Sequence, residues 1–290
     1  MMKSMMLALK SKQPPNIVPD VQAQRRGLTE MTQMLPIAPG VSIRSFQIDG
    51  IDVELLIPEH YDTSCVLLYL HGGSYTAGSP QTHRSLVSRI VSQSGVQAIV
   101  VDYRLAPENP FPAAIQDCSN VYLSILNSKD FGDSIIVGGD SAGGGLALSL
   151  VLELKEMDSI LPIGLFLLSP WTDLTASGDS VESRSEIDPW LRPSGLGLAA
   201  GAYLGGVDPS NSKASPLFSD LSGFPPTLIL VGSDEILFDD SSRLHEKLKA
   251  AEVPSTLSVG EGLWHVWPAF SMLPESQIAM DKISDFIKSL

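Results

Sequence analysis

Apolar and polar residues alternate along Val41-Ser42-Ile43-Arg44-Ser45-Phe46-Gln47-Ile48 and again from Ile51 to Ile57, with Asp49-Gly50 between the two runs. A period of two marks strands with one covered face, and Asp-Gly between two such runs predicts a hairpin. The pattern then changes. Short continuous apolar runs occur at Cys65–Leu70, Ala98–Val101, Ile135–Val137, Ile163–Leu168 and Thr227–Val231, with a weaker sixth at Thr256–Val259. Such runs fit strands buried on both faces of a parallel sheet. Helix-like segments at about 81–93, 112–126, 143–157, 240–251 and 275–289 separate most of them. Alternating strands and helices predict right-handed crossovers and an α/β fold with helices on both faces of the sheet.

Two intervals fall outside this rhythm. Residues 1 to about 38 read as amphipathic helix broken by Pro14-Pro15, Pro19 and Pro36, and they precede the first strand. About 58 residues separate Leu168 from Thr227, too many for one crossover connection, and 178–222 are rich in Gly, Ser and Pro. The expected organisation is therefore a core of residues 39–177 and 223–290 with a small helical cap. Residues 1–38 and an insertion at 178–222 make that cap, above the carboxyl ends of the strands, where open α/β sheets place their sites.

Composition narrows the partners. The 290 residues are 43% hydrophobic, enough for one large core, and the net charge is -14. A surface of that sign repels the phosphates of nucleic acid and an anionic membrane face. No run is apolar enough to span a bilayer, and Met5 to Leu9 is shorter than the apolar part of a signal peptide, so a cytoplasmic protein is expected. Cys65 and Cys118 have no metal-ligand neighbours and read as two buried free thiols.

The candidate chemistry starts at Gly139-Asp140-Ser141-Ala142-Gly143, a G-x-S-x-G sequence between a strand pattern and a helix pattern. Such a turn carries its serine at the apex and needs small residues where the chain crosses itself. A nucleophilic serine requires a base, an acid that orients the base, and oxyanion donors. His265, in a loop after the last strand signal, has the position for the base, whereas His83 and His245 read as surface or packing residues. Asp234, after the Thr227–Val231 run, is the candidate acid, and Asp239 and Asp240 read as helix N-cap candidates. Gly72 and Gly73 follow Leu70 and are candidate oxyanion donors.

His71-Gly72-Gly73-Ser74-Tyr75, Asp102-Tyr103-Arg104-Leu105-Ala106-Pro107-Glu108, Gly139-Asp140-Ser141-Ala142-Gly143-Gly144, Ser169-Pro170-Trp171, Asp234-Glu235-Ile236-Leu237 and His265-Val266-Trp267 together resemble the hormone-sensitive-lipase-like esterases. Among these, the chain is most similar to the bacterial family IV carboxylesterases of the Gly-Asp-Ser-Ala-Gly type, from about residue 41 to the end. The resemblance implies an α/β-hydrolase fold and a Ser141–His265–Asp234 triad. It implies an oxyanion hole of Gly72, Gly73 and Ala142 N–H groups, each worth roughly 3 kcal/mol of barrier. It also implies that His71 and the Asp102–Glu108 stretch hold the oxyanion loop, that no cofactor or metal is used, and that the chain forms a homodimer. The expected activity is hydrolysis of small esters through an acyl-enzyme, with short acyl chains preferred and Tyr75, Trp171 and Trp267 around the substrate. Lactone, thioester or amide hydrolysis would use the same triad, and a non-catalytic binding protein would have lost a member of it. Two departures stand out. Ser74 occupies the place of a usual third glycine, and Glu235 occupies the place after the acid where proline is common.

Overall fold

The computed structural model describes residues 2–12, 20–128 and 130–290, so the breaks expected at Pro14, Pro15 and Pro19 lie outside the described residues. One sheet holds eight strands in the order β1-β2-β4-β3-β5-β6-β7-β8. The hairpin comprises β1 (Val41–Ile48) and β2 (Ile51–Pro58), and Asp49 and Gly50 take the positive φ values, 51° and 77°, that a two-residue connection demands. β2 pairs antiparallel with β4 (Val96–Val101). The others run parallel: β3 (Asp62–Leu70), β5 (Ser134–Asp140), β6 (Gly164–Leu168), β7 (Thr227–Gly232) and β8 (Ser255–Gly260). β4 to β7 are buried at nearly every residue, while the edge strand β8 is half-buried, which is why its apolar run is weak.

Successive side chains of a strand point to opposite faces, and β3 shows where each half of the core sits. Val66, Leu68 and Leu70 pack into the cluster covered by α4 (Ala113–Asn127), α5 (Ala142–Glu156) and α8 (Phe238–Ala250). Leu67 and Tyr69 pack into the opposite cluster, under α3 (Pro80–Ser94) and α9 (Pro274–Lys288). Each fully buried aliphatic side chain is worth about 1.5–3 kcal/mol relative to water. The sheet is thus a rigid plate whose strand ends hold loops in place.

The remaining helices lie in the two intervals outside the strand–helix rhythm. α1 (Met2–Lys12) and α2 (Val21–Thr32) come first, and the insertion carries α6 (Ser180–Ser183) and α7 (Pro193–Leu204). The Lys10 ammonium donates to the carbonyls of Ser185 (2.8 Å), Asp188 (2.6 Å) and Leu191 (2.7 Å), tying α1 to the insertion. Arg25 ties α2 to the core loops, donating to Thr76 O (2.8 Å) and Ala106 O (3.0 Å) and pairing with Glu108. Both cysteines are free, Cys118 buried and Cys65 only partly so.

Candidate active site

β5 ends at Asp140 and α5 begins at Ala142, which leaves Ser141 alone in the turn with φ 53° and ψ -122°. A non-glycine residue held there costs about 1–3 kcal/mol, and the surrounding contacts impose it. The Ser141 N–H donates to Leu168 O (2.8 Å), and its carbonyl accepts from Trp171 N (2.9 Å). The helix then runs so close to β3 that a Cβ at Gly143 would strike the Leu70 carbonyl. Pinned this way, Ser141 Oγ lies 2.9 Å from His265 Nε2.

His265 lies beyond β8, and its Nδ1 meets a carboxylate oxygen, Glu235 Oε1, at 3.1 Å. A carboxylate only accepts, so Nδ1 carries the proton and Nε2 accepts from the serine hydroxyl. Glu235 is fully buried and fixed on its other oxygen, which accepts from Ser169 Oγ (2.8 Å) and Gly232 N (2.8 Å). Burial opposes a charge on His265. The hydrogen bond and charge of Glu235, with the charges of Asp188 and Asp140, outweigh it and raise the imidazole above its ordinary pKa.

Several expected site residues are placed differently. Asp234 does not reach His265. Its carboxylate pairs with Lys3 of α1 and accepts from Ser233 Oγ (2.8 Å), a partly exposed arrangement. The carboxylate that meets His265 is that of the next residue, because the turn after β7 aims 235 inward and 234 outward. In the sequence Glu235 reads only as a departure from proline. The residue after Glu235 is Ile236, whose N–H donates to Asp188 Oδ2 (2.9 Å), a bond that proline could not make. Asp239 and Asp240 are not N-caps. They sit in the first turn of α8 and accept backbone N–H groups of Ser180 (2.8 Å) and of Thr172 (2.7 Å) and Asp173 (2.9 Å).

The loop after β3, expected to supply oxyanion donors, also differs from expectation. The Gly72 N–H donates to Asp140 Oδ1 (3.1 Å) and is therefore spent. Gly73 (φ 125°) and Ser74 (φ 57°) follow it, and among the described residues their N–H groups have no acceptor. Ala142 is the first residue of α5, where no intrahelical acceptor exists for its N–H. The loop is braced from below. His71 Nδ1 donates to Gly72 O (2.9 Å), Tyr103 OH donates to His71 O (2.6 Å), and Ala106 N donates to Tyr75 O (2.9 Å).

The aromatic residues expected around a substrate are core. Tyr75 and Trp171 are 1% exposed, and the Tyr75 ring stacks on Tyr203 of α7 at 3.7 Å. Trp267, 4% exposed, packs in the cluster under α9. The open aromatic beside the site is Trp190 of the insertion, 40% exposed, edge-on to Phe270, which is itself edge-on to Trp264 next to His265. Asp188 holds it there by accepting Trp190 N (2.7 Å) and Leu191 N (2.9 Å). Neither Trp190 nor Asp188 carries a sequence signal, since they lie in a stretch without periodicity.

A buried serine–imidazole–carboxylate line on a strand-to-helix turn, within a sheet of this strand order, has counterparts among known proteins. A family model described as the alpha/beta hydrolase fold matches residues 67–269. The chain belongs to the α/β-hydrolase family. It is 37% identical over 277 residues to an esterase of Acinetobacter venetianus, covering 95% of this chain and 90% of that one. It is 38% identical over 224 residues to an acetyl-hydrolase of Streptomyces hygroscopicus, covering 77% and 75%. Among solved structures, EstE5, soaked with p-nitrophenyl butyrate, superposes with a TM-score of 0.93 at 36% identity, over 99% of this chain and 96% of that one. An esterase from the bacterial hormone-sensitive lipase family matches with the same TM-score, 0.93, at 35% identity. The resemblance read from the motifs to hormone-sensitive-lipase-like esterases is thus matched across nearly the whole α/β-hydrolase chain.

Proposed function

We propose that the protein is a carboxylic ester hydrolase that works through an acyl-enzyme on Ser141, with His265 as base and Glu235 as the orienting acid. The observation that carries this reading is the unbroken line Ser141 Oγ–His265 Nε2 (2.9 Å) and His265 Nδ1–Glu235 Oε1 (3.1 Å) inside a buried site. The names and titles of its relatives, an esterase, an acetyl-hydrolase and a structure soaked with a butyrate ester, support the choice of ester over other carbonyl substrates.

His265 takes the Ser141 proton as Oγ attacks the ester carbonyl, and Glu235 holds the tautomer and stabilises the imidazolium that forms. The tetrahedral oxygen is received by N–H groups of Gly73, Ser74 and Ala142. Gly72 is excluded, because Asp140 already occupies its donor. His265 then protonates the leaving alcohol, and water, activated by the same imidazole, releases the acid.

The test is Ser141→Ala, assayed on p-nitrophenyl acetate and butyrate beside the parent enzyme, with the acylated parent trapped by rapid acid quench and weighed by mass spectrometry. Activity should drop by roughly 10⁴–10⁶-fold, and the acyl mass should be present only in the parent. A variant that keeps more than a tenth of parental turnover would end the proposal.

A further inference from the structure

Behind the oxyanion loop lies a largely buried titratable group that the proposed mechanism does not use. His83, on the first turn of α3, reads from sequence as a surface or packing residue, yet its ring is enclosed between the end of β5 and the loop after β3. Its Nε2 faces the Asp140 carboxylate at 3.4 Å. Its Nδ1 faces Thr82 Oγ1 (2.8 Å) and the Ser79 carbonyl (3.2 Å). The Thr82 hydroxyl already donates to Ser79 O (2.8 Å), so toward the imidazole it can only accept. Nε2 thus faces a carboxylate and Nδ1 a carbonyl, and the imidazolium donates to both.

The other titratable groups facing His83 agree with a positive charge there. Tyr69 of β3 has its ring 6.4 Å away and donates its hydroxyl to Asp140 Oδ1 (2.8 Å). His71 has its ring 5.4 Å away; it is neutral, with burial and the nearby charge of His83 lowering its pKa to about 3. Glu54 of β2 is taken up by Arg84 and Gln81 of the same helix. Asp140 is thus the one anion at hand, and it is kept ionised although buried. Its Oδ1 also receives the Gly72 N–H, and Gly72 lies so close that a Cβ there would strike the carboxylate.

We propose that His83 is a positioning residue of the oxyanion hole, its imidazolium fixing the Asp140 carboxylate that anchors Gly72 and so aims the following N–H groups. The catalytic consequence rests on the ester-hydrolase reading; the anchoring itself does not. Neutral His83 no longer sets a positive charge against Asp140, which loosens the carboxylate that anchors Gly72. Burial opposes the charge on His83, but Asp140 and Ser79 outweigh it and raise its pKa above the ordinary value. Activity should therefore carry an alkaline limb from His83, distinct from the acid limb of His265.

His83→Gln keeps a donor toward Asp140 without the charge. With p-nitrophenyl butyrate, kcat should drop roughly 10–100-fold, as for a misplaced catalytic group, while KM stays within about twofold. The affinity for a trifluoromethyl ketone, which builds the oxyanion on Ser141, should drop with kcat/KM, and the alkaline limb should vanish. In parallel, ¹⁵N spectra of the unmodified protein should show His83 protonated on both nitrogens at pH 7, and the Gly72 amide should shift as His83 titrates. A variant with unchanged kcat and unchanged alkaline limb, a neutral His83 at pH 7, or a Gly72 amide indifferent to His83 would each overturn the proposal. If the variant does not fold, the spectra and pH profile of the parent decide. If the parent hydrolyses no ester, the ester reading fails, and the Gly72 amide still reports whether His83 anchors the loop.

Discussion

Asp234 and Glu235 are adjacent carboxylates with opposite fates, and the difference is measurable. Glu235→Gln presents an amide to His265 and removes the charge that stabilises the imidazolium, so kcat should drop by about 10⁴-fold. Asp234→Asn loses only the partly exposed pair with Lys3. Its kcat should stay within a few-fold of the parent, since such pairs are worth at most about 1 kcal/mol. Steady-state kinetics of the two variants decide the acid. The same site sets the acid limb. His265 works as a base only when neutral, and its pKa is raised in the folded protein. Activity should therefore rise with pH through a pKa above the ordinary 6.5 and be lost below it. The kcat/KM profile from pH 5 to 9 shows this directly, and an inflection below 6 would contradict the Glu235 and Asp188 charges as its cause.

The elements outside the strand–helix rhythm are held by few, specific bonds. Lys10→Met would leave the carbonyls of Ser185, Asp188 and Leu191 without their shared donor. At about 1–3 kcal/mol for unsatisfied groups, and roughly 2–4 °C per kcal/mol for a chain of this size, Tm should drop by several degrees. Thermal unfolding followed by circular dichroism checks it; an unchanged Tm would show that α1 docks by its methionines alone. These elements also mark the limit of what the residue pattern reveals. The hairpin, the buried strands and the turn that carries Ser141 were legible because strand periodicity and the G-x-S-x-G turn are local properties of the chain. Glu235 was not, because which of two neighbouring carboxylates points inward depends on the turn after β7. That the Gly72 N–H bonds to Asp140 was not legible either, because the two residues are 68 positions apart. Tyr75 and Trp171 were taken for a pocket lining because aromatic residues near a site and aromatic residues beneath it have the same composition.

Taken whole, the molecule is built on one eight-stranded sheet and carries a net charge of -14. Among the described residues no helix is long and apolar enough to cross a membrane. Each methylene that fits the site adds up to about 0.8 kcal/mol of binding, and each beyond the wall adds strain. For p-nitrophenyl esters from acetate to palmitate, kcat/KM should peak between about two and eight acyl carbons; a maximum at palmitate, or a jump above the micelle concentration, would refute this. The seat of α1 has a further consequence, for the order in which the chain is made. Lys3 meets Asp234, 231 positions later, and Met2 and Met6 pack against the cluster that α9 completes. At about 5–20 residues per second on the ribosome, roughly 12–46 s pass between the emergence of α1 and that of its partner. Throughout that time the first helix lacks the carboxylate that its Lys3 pairs with, so α1 should stay undocked on the nascent chain until its last third is translated.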